Sequence, residues 1–162
     1  MTGTGTLKDV TSQPEPALLE PRWIRLRRRL DASPERVYRA FSDPEELVRW
    51  FPLRVEGALA VGTRSTLIWR EQRLWWEVRE AHASDRFAFR WPWGADDGLI
   101  TTVTLTFTPS GYGTRLDLED GPFPIATGEG LDAWAAGLEG WGEALMLLRA
   151  QLDFSVDLRP RG

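Results

Sequence analysis

The chain has 162 residues, of which 42% are apolar and 27% charged, and its formal net charge is −4. This composition predicts one soluble globular domain, and the acidic balance excludes a protein whose overall charge attracts nucleic acid. The chain has no cysteine and one histidine, His82, which excludes disulfides, thiolate metal sites and multi-histidine metal centres. We therefore expect neither a metal nor another cofactor.

The N-terminal segment, residues 1–21, is rich in glycine, threonine, serine and proline, and it is predicted to be a flexible tail. Its first residues, Met1 to Thr11, contain one lysine and no apolar stretch, so they do not resemble a secretory signal. No apolar run in the chain is long enough to span a bilayer. We expect a cytoplasmic protein without a membrane partner, with a folded domain over 22–154 and a C-terminal tail over 155–162.

The first predicted strand, residues 23–30, alternates apolar residues with arginines. The arginine run admits two interpretations, a phosphate-binding stripe or a solvated strand face, and the alternation and the acidic chain favour the second. Arg28 is the one charged residue on the apolar side of this strand. It is a candidate for binding a ligand carboxylate, and pairing with a nearby acidic residue is equally compatible with its position.

Two short helices are predicted after this strand. Ser33 followed by Pro34 is typical of an N-cap and a first helical residue, and Asp43 followed by Pro44 repeats that pattern. Pro52 ends the second helix.

Six further strands are predicted at 54–59, 64–70, 74–81, 86–93, 99–109 and 114–119, separated by short turns. Short connections favour an antiparallel meander. The strand at 86–93 places aromatic residues on one face, and the strand at 74–78 places Trp75 on the face opposite Leu74, Trp76 and Val78.

A long amphipathic helix is predicted from about Gly130 or Leu131 to Asp153. Its apolar residues recur at alternating spacings of three and four: Leu131, Trp134, Leu138, Trp141, Leu145, Leu148 and Leu152. Gly137, Gly140 and Gly142 lie inside the helix, although each glycine weakens a helix by about 1 kcal/mol relative to alanine. Two explanations stay open: a side chain there would collide with a strand or fill a cavity, or a strongly packed helix tolerates them.

The order of these elements, together with several sequence motifs, resembles the SRPBCC (START-like, helix-grip) superfamily. The motifs are the segments 28–41 and 43–50, then Trp76-Glu77-Val78, the segment 86–91, Gly113-Thr114-Arg115-Leu116 and the helix from Gly140-Trp141 to Leu152. They are most similar to the branch related to the activator of heat-shock-protein-90 ATPase. The resemblance implies an α+β fold in which a curved antiparallel sheet of about six to seven strands wraps a long C-terminal helix. It carries over no catalytic residues, because the superfamily shares no catalytic set.

Members of this superfamily bind apolar or aromatic small molecules between the sheet and the helix, so the resemblance implies a cavity there. The candidate ligand-binding residues are Arg28, Trp50, Trp69, Trp76, Phe89, Trp91, Trp93, Phe107, Trp134, Leu138, Trp141 and Leu145. A closed aromatic core is the alternative for the same side chains. We interpret His82 as a solvated turn residue, and the acidic pairs Glu119-Asp120 and Asp96-Asp97 as loop acids.

Non-catalytic binding of an apolar or aromatic small molecule is therefore the expected function. One alternative is an enzyme of the polyketide cyclase/aromatase type, which a cavity holding His82 or Arg28 beside a buried acid would favour. Another is a chaperone-cofactor or protein-interaction module, which would form a homodimer or bind a chaperone partner. A closed core and an exposed apolar patch around Trp75 would favour this alternative.

Overall fold

A computed structural model describes residues 20–94 and 96–161. Residues 1–19 of the predicted N-terminal tail lie outside the described residues. The elements are β1 (Arg22–Leu30), α1 (Pro34–Ser42), α2 (Pro44–Leu47), β2 (Arg54–Glu56), β3 (Arg64–Ile68), β4 (Arg73–His82), β5 (Arg86–Trp93), β6 (Leu99–Ser110), β7 (Gly113–Phe123) and α3 (Gly128–Phe154). None of the helices within these ranges is long and apolar enough to cross a lipid bilayer.

The strands form a single seven-stranded sheet in the order β1-β7-β6-β5-β4-β3-β2. Every neighbouring pair is antiparallel. The helix α3 packs on one face of the sheet, where the inward residues of β4 to β7 form the core. The predicted helix-grip α+β fold is therefore confirmed.

Both short helices begin as the sequence predicts. The Ser33 side chain accepts a hydrogen bond from the Arg36 backbone N–H, and the Asp43 side chain accepts one from the Glu45 backbone N–H. Each cap satisfies a backbone donor that the first helical turn leaves without an intrahelical partner.

The long helix α3 buries the second half of its apolar stripe. Trp141, Leu145, Leu148 and Leu152 are buried, whereas Trp134 and Leu138 are half-buried. The prediction is wrong for Leu131, which is 46% exposed. In this first turn the helix packs through Gly130 instead, where an added Cβ would lie only 2.0 Å from the Pro124 carbonyl oxygen.

The end of α3 is tied to the turn after β1 by Asp153. Its carboxylate accepts hydrogen bonds from the backbone N–H groups of Asp31, at 3.0 Å, and Ala32, at 3.1 Å. These contacts join segments that are far apart in the sequence.

Replacing Asp153 with alanine should lower the free energy of unfolding by about 1–3 kcal/mol, because the buried Ala32 N–H loses its acceptor, whereas the exposed Asp31 N–H can bond to water instead. Urea unfolding would measure this loss. Asp153→Asn keeps one oxygen acceptor, so it should be less destabilised than Asp153→Ala. Equal stability of Asp153→Ala and the wild type would contradict this role.

The chain after α3 turns back through Ser155, which adopts a left-handed backbone conformation with φ of 54°. The Arg159 guanidinium then donates to the carbonyl oxygens of Val48, at 2.8 Å, and Pro52, at 2.9 Å. The Asp157 carboxylate accepts two further hydrogen bonds from Arg159. The segment after the helix is thereby fixed to the loop between α2 and β2.

Candidate functional site: an aromatic cavity

A cavity of about 720 Å³ lies between the middle of α3, the end of β5 and the turn that joins β3 to β4. Five aromatic rings line it: Phe51, Trp69, Trp91, Trp93 and Trp141. We call this space the aromatic cavity. The alternating pattern of β5 explains why two of these rings come from one strand, since Trp91 and Trp93 project from the same face.

The rings form a continuous wall. Trp91 contacts Trp93 edge to face with ring centroids 5.3 Å apart, and Trp91 also lies 5.0 Å from Trp141. Phe51 stacks on Trp141 with centroids 5.9 Å apart and contacts Trp69 edge to face at 5.1 Å. Mutual contact of this kind restricts the rotation of each ring, so the wall is largely preformed.

Two of the α3 residues that line the aromatic cavity are glycines, Gly137 and Gly140. A Cβ at Gly137 would lie 2.6 Å from Ile24 Cδ1 and 3.1 Å from the Trp93 ring, so close packing requires glycine there. A Cβ at Gly140 would meet nothing within 4 Å. The first of the two explanations, collision with a neighbouring element, therefore applies to Gly137. Gly140 lines the cavity and is exposed, so collision does not explain it.

Charged residues surround the mouth of the aromatic cavity. Arg70, Glu71 and Glu143 line it and are exposed. Arg159 also lines it, but its guanidinium is paired with Asp157 and bound to two backbone carbonyls.

A buried carboxyl group lies behind the aromatic wall. Asp120 of β7 is 0% exposed. Its Oδ2 accepts a hydrogen bond from Trp141 Nε1 at 3.0 Å, and its Oδ1 accepts one from the Thr101 hydroxyl at 2.6 Å. Thr101 Oγ1 in turn accepts a hydrogen bond from Trp93 Nε1 at 2.8 Å. We call these four residues the Asp120 network.

Burial raises the pKa of Asp120 to about 6. The hydrogen bonds from Thr101 and Trp141, together with the nearby Trp91 indole, favour the charged form and oppose this effect. Trp91 Nε1 itself has no hydrogen-bond partner of good geometry among the described residues. No countercharge contributes, so desolvation has the largest effect on this group.

The structure separates the predicted site residues into groups. Trp69, Trp91, Trp93 and Trp141 line the aromatic cavity. Others belong to the closed core, as the alternative interpretation anticipated, and do not line the cavity: Trp50, Trp76, Phe89, Phe107 and Leu145. The half-buried Trp134 and Leu138 pack against that core outside the cavity lining.

The packing of Trp76 illustrates the closed part of the core. Its ring stacks on Phe89 with centroids only 3.7 Å apart and planes 13° apart. Trp50 is similarly enclosed, and its Nε1 donates to the Ala40 carbonyl oxygen at 2.9 Å. Such contacts fill the space that a ligand would need.

Arg28 does not line the aromatic cavity. It is half-buried, and its guanidinium donates to the Arg27 carbonyl oxygen at 2.9 Å. Its strand β1 is at one edge of the sheet, whereas the cavity lies beside β5, β4 and β3. His82 is at the end of β4, exposed, and outside the cavity lining.

The interpretation of Glu119-Asp120 as loop acids is wrong. Both residues belong to β7, which continues to Phe123 instead of ending near residue 119. Glu119 faces outward beside Arg25 at 3.4 Å, whereas Asp120 faces inward with Leu116 and Leu118. The inward alternation of Leu116, Leu118 and Asp120 was the available signal, and the following Gly121-Pro122 obscured it because both residues usually end strands.

Trp75 does not form an open apolar patch. It is half-buried, and the Arg64 guanidinium lies over its ring at 3.8 Å from the centroid. Its Nε1 donates to Asp97 Oδ2 at 2.9 Å. The patch that the protein-interaction alternative required around this residue is therefore covered.

No group of three or more histidine, cysteine, aspartate or glutamate side chains within residues 20–94 and 96–161 is arranged to hold a metal ion.

Comparison with known proteins identifies relatives of the whole fold. The sequence profile of the family described as Activator of Hsp90 ATPase homolog 1-like protein matches residues 31–153. No curated protein sequence matches the chain significantly.

Solved structures share the fold. Protein MLL2253 from Mesorhizobium loti is 26% identical, with a TM-score of 0.72, and the match covers 85% of this chain and 100% of that one. The Aha1 dimer from Colwellia psychrerythraea is 18% identical with a TM-score of 0.73, and the match covers 82% and 97% of the two chains. DynU16, a putative protein in the dynemicin biosynthetic locus, is 24% identical with a TM-score of 0.71, covering 82% of this chain and 48% of that one.

Proposed function

The chain belongs to the Activator of Hsp90 ATPase homolog 1-like family, and from that starting point we propose that it binds an apolar or aromatic small molecule in the aromatic cavity without catalysing a reaction. The observation that carries this proposal is the cavity itself. A volume of about 720 Å³ lies within the range of small-molecule sites, roughly 300–1,000 Å³.

The lining supports a planar ligand. Indole and phenyl rings offer large contact areas and lose little rotamer entropy when a ligand stacks on them. The wall is preformed by its own ring contacts, so binding requires little reorganisation. Gly140 is compatible with this argument, because it lines the cavity and an added Cβ there would meet nothing within 4 Å.

Intrinsic fluorescence provides the test. Trp69, Trp91, Trp93 and Trp141 line the cavity, so a bound aromatic compound should quench tryptophan emission. Titration with naphthalene-like, flavonoid-like and fatty-acid ligands, followed by calorimetry on those that quench, would measure binding. Failure of every class to bind would refute the proposal.

Replacing Gly140 with leucine should weaken ligand binding and leave the protein folded. The new side chain should extend into the cavity, because Gly140 lines it and an added Cβ there meets nothing within 4 Å. Loss of affinity by at least about tenfold is expected from the filled volume and lost contact area.

Gly142→Leu is the matched control. Gly142 lies two residues away on the same helix and also has no atom within 4 Å of an added Cβ, but it does not line the cavity. Both leucine variants should retain the fold, and the control should bind ligands as the wild type does. Equal binding by the two variants would place the ligand outside the aromatic cavity.

The arrangement gives less support to the two alternatives. A cyclase-like enzyme would be favoured by a cavity that holds His82 or Arg28 beside a buried acid, but neither residue lines this cavity. A chaperone-cofactor or interaction module would be favoured by an open apolar patch at Trp75, which Arg64 covers. Binding without catalysis is therefore the function that the site supports best.

A further inference from the structure

The Asp120 network places a buried negative charge directly behind the aromatic wall. The strand partners of Asp120 and the side chains that act on its carboxylate are all uncharged: Ile24, Trp91, Thr101, Val103 and Trp141. A carboxylate without a countercharge is unfavourable in such surroundings. The fold alone does not explain its presence, because apolar groups of similar volume are often equally or more stabilising than buried charges.

The hydrogen bonds of this network connect the charge to the cavity surface. Trp141 donates its N–H directly to the carboxylate, and Trp93 donates to the Thr101 hydroxyl, which donates to the carboxylate. Donation toward an anion polarises each indole. The ring faces that line the cavity thereby become more negative, and such faces attract cations.

The mouth of the cavity has the same sign. Glu71 and Glu143 line it, and Arg70 is the positive residue beside them. The charge of the remaining arginine, Arg159, is balanced by the Asp157 carboxylate at 2.8 Å. With Asp120 charged, acidic groups outnumber unbalanced basic groups around the space, and the whole chain carries a net charge of −4.

We infer that the aromatic cavity selects an organic cation with an apolar or aromatic body over a neutral molecule of the same shape. This inference rests on the proposed function, since it assumes that a small molecule binds in this cavity. The cation supplies the countercharge that Asp120 lacks, and the surrounding rings supply cation–π contacts. A quaternary or tertiary ammonium group attached to a ring has this chemistry.

Two compounds of equal shape test the inference. Phenyltrimethylammonium and tert-butylbenzene differ by a nitrogen cation in place of a carbon atom. At pH 8 the wild-type protein should bind phenyltrimethylammonium at least about tenfold more tightly, as expected for a cation near desolvated aromatic rings. Calorimetry would measure both affinities.

The pH dependence identifies the source of the preference. Phenyltrimethylammonium stays charged at every pH, whereas Asp120, with a pKa of about 6, is mostly protonated at pH 5 and charged at pH 8. The preference for the cation should therefore increase as the pH rises from 5 to 8. By linkage, binding of the cation near pH 6 should release protons, which calorimetry in buffers of different ionisation enthalpy detects.

Two variants separate Asp120 from other acidic groups. Asp120→Asn removes the charge and should reduce the affinity for phenyltrimethylammonium about tenfold at pH 8, with little change for tert-butylbenzene. Asp153→Asn is the matched control, because Asp153 is also a largely buried aspartate but its carboxylate binds the turn after β1. The control should keep the wild-type preference and its pH dependence. If Asp120→Asn does not fold, the wild-type pH series decides.

The possible results are distinct. Equal or tighter binding of tert-butylbenzene at pH 8 would overturn the cation inference and leave small-molecule binding intact. A cation preference that changes neither with pH nor in Asp120→Asn would overturn the role of Asp120, because Glu71 and Glu143 at the mouth would then be responsible for the preference. Binding of neither compound, together with failure of the wider ligand panel, would refute the proposed function itself.

Discussion

Replacing Trp141 with alanine is expected to lower the free energy of unfolding by about 3–5 kcal/mol, the usual loss when a large buried ring is removed. Trp141 is only 2% exposed, and it contacts both Phe51 and Trp91. Its removal also takes a hydrogen bond from Asp120 Oδ2, so a buried acceptor loses one partner. Urea or thermal unfolding would measure the effect.

Two control variants test why the loss of Trp141 lowers the stability. Trp141→Phe keeps a ring but removes the N–H donor, so it should be less destabilising than alanine. Leu131→Ala, on the same helix but 46% exposed, should change the stability little. A melting temperature of Trp141→Ala equal to that of the wild type would mean that the helix does not close the core at this point.

The free energy of unfolding of the wild type, minus that of Asp120→Asn, is expected to fall as the pH rises from about 4 to 7. Burial raises the pKa of Asp120 from 3.8 in the unfolded chain to about 6 in the folded protein. The protonated form is therefore favoured by folding, and this contribution is complete below the unfolded pKa and lost as the pH rises through the folded pKa. A change of this size corresponds to about 3 kcal/mol.

The comparison with Asp120→Asn isolates this group. Other carboxylates act in the opposite direction: Arg64 lowers the pKa of Glu77, whose contribution to stability is lost as the pH falls. They are present in both proteins and cancel in the difference. Urea unfolding at several pH values would give the two curves, and a constant gap between them would contradict a buried, titrating Asp120.

Local sequence signals determined most of the fold. The caps at Ser33 and Asp43, the alternation of β5 and the apolar spacing of α3 each depend on residues within one element. Each is confirmed, except that Leu131 at the start of α3 is exposed. The end of β7 was missed because Gly121 and Pro122 disfavour a strand locally. Tertiary contacts override that preference: Gly121 pairs with Thr102, and an added Cβ there would lie 2.7 Å from the Trp23 ring.

The position of open space was less predictable than the direction of side chains. Alternation correctly places Trp76 and Trp93 on the inner face, yet Trp76 is enclosed by Phe89 and Trp93 lines the cavity. The difference depends on where α3 crosses the sheet and where its glycines lie, which are properties of long-range packing. The proposed role of these residues in ligand binding remains a prediction.

The hydrogen bonds of the Asp120 network also constrain how this family can diverge. If Asp120 alone is replaced by an apolar residue, the Thr101 hydroxyl and the Trp141 indole lose their acceptor. Each buried donor left without a partner lowers the free energy of unfolding by about 1–3 kcal/mol. Replacing all the polar members together by apolar groups can be nearly neutral. Substitutions at positions 93, 101, 120 and 141 should therefore be inherited as a set, so that relatives carry the whole network or almost none of it.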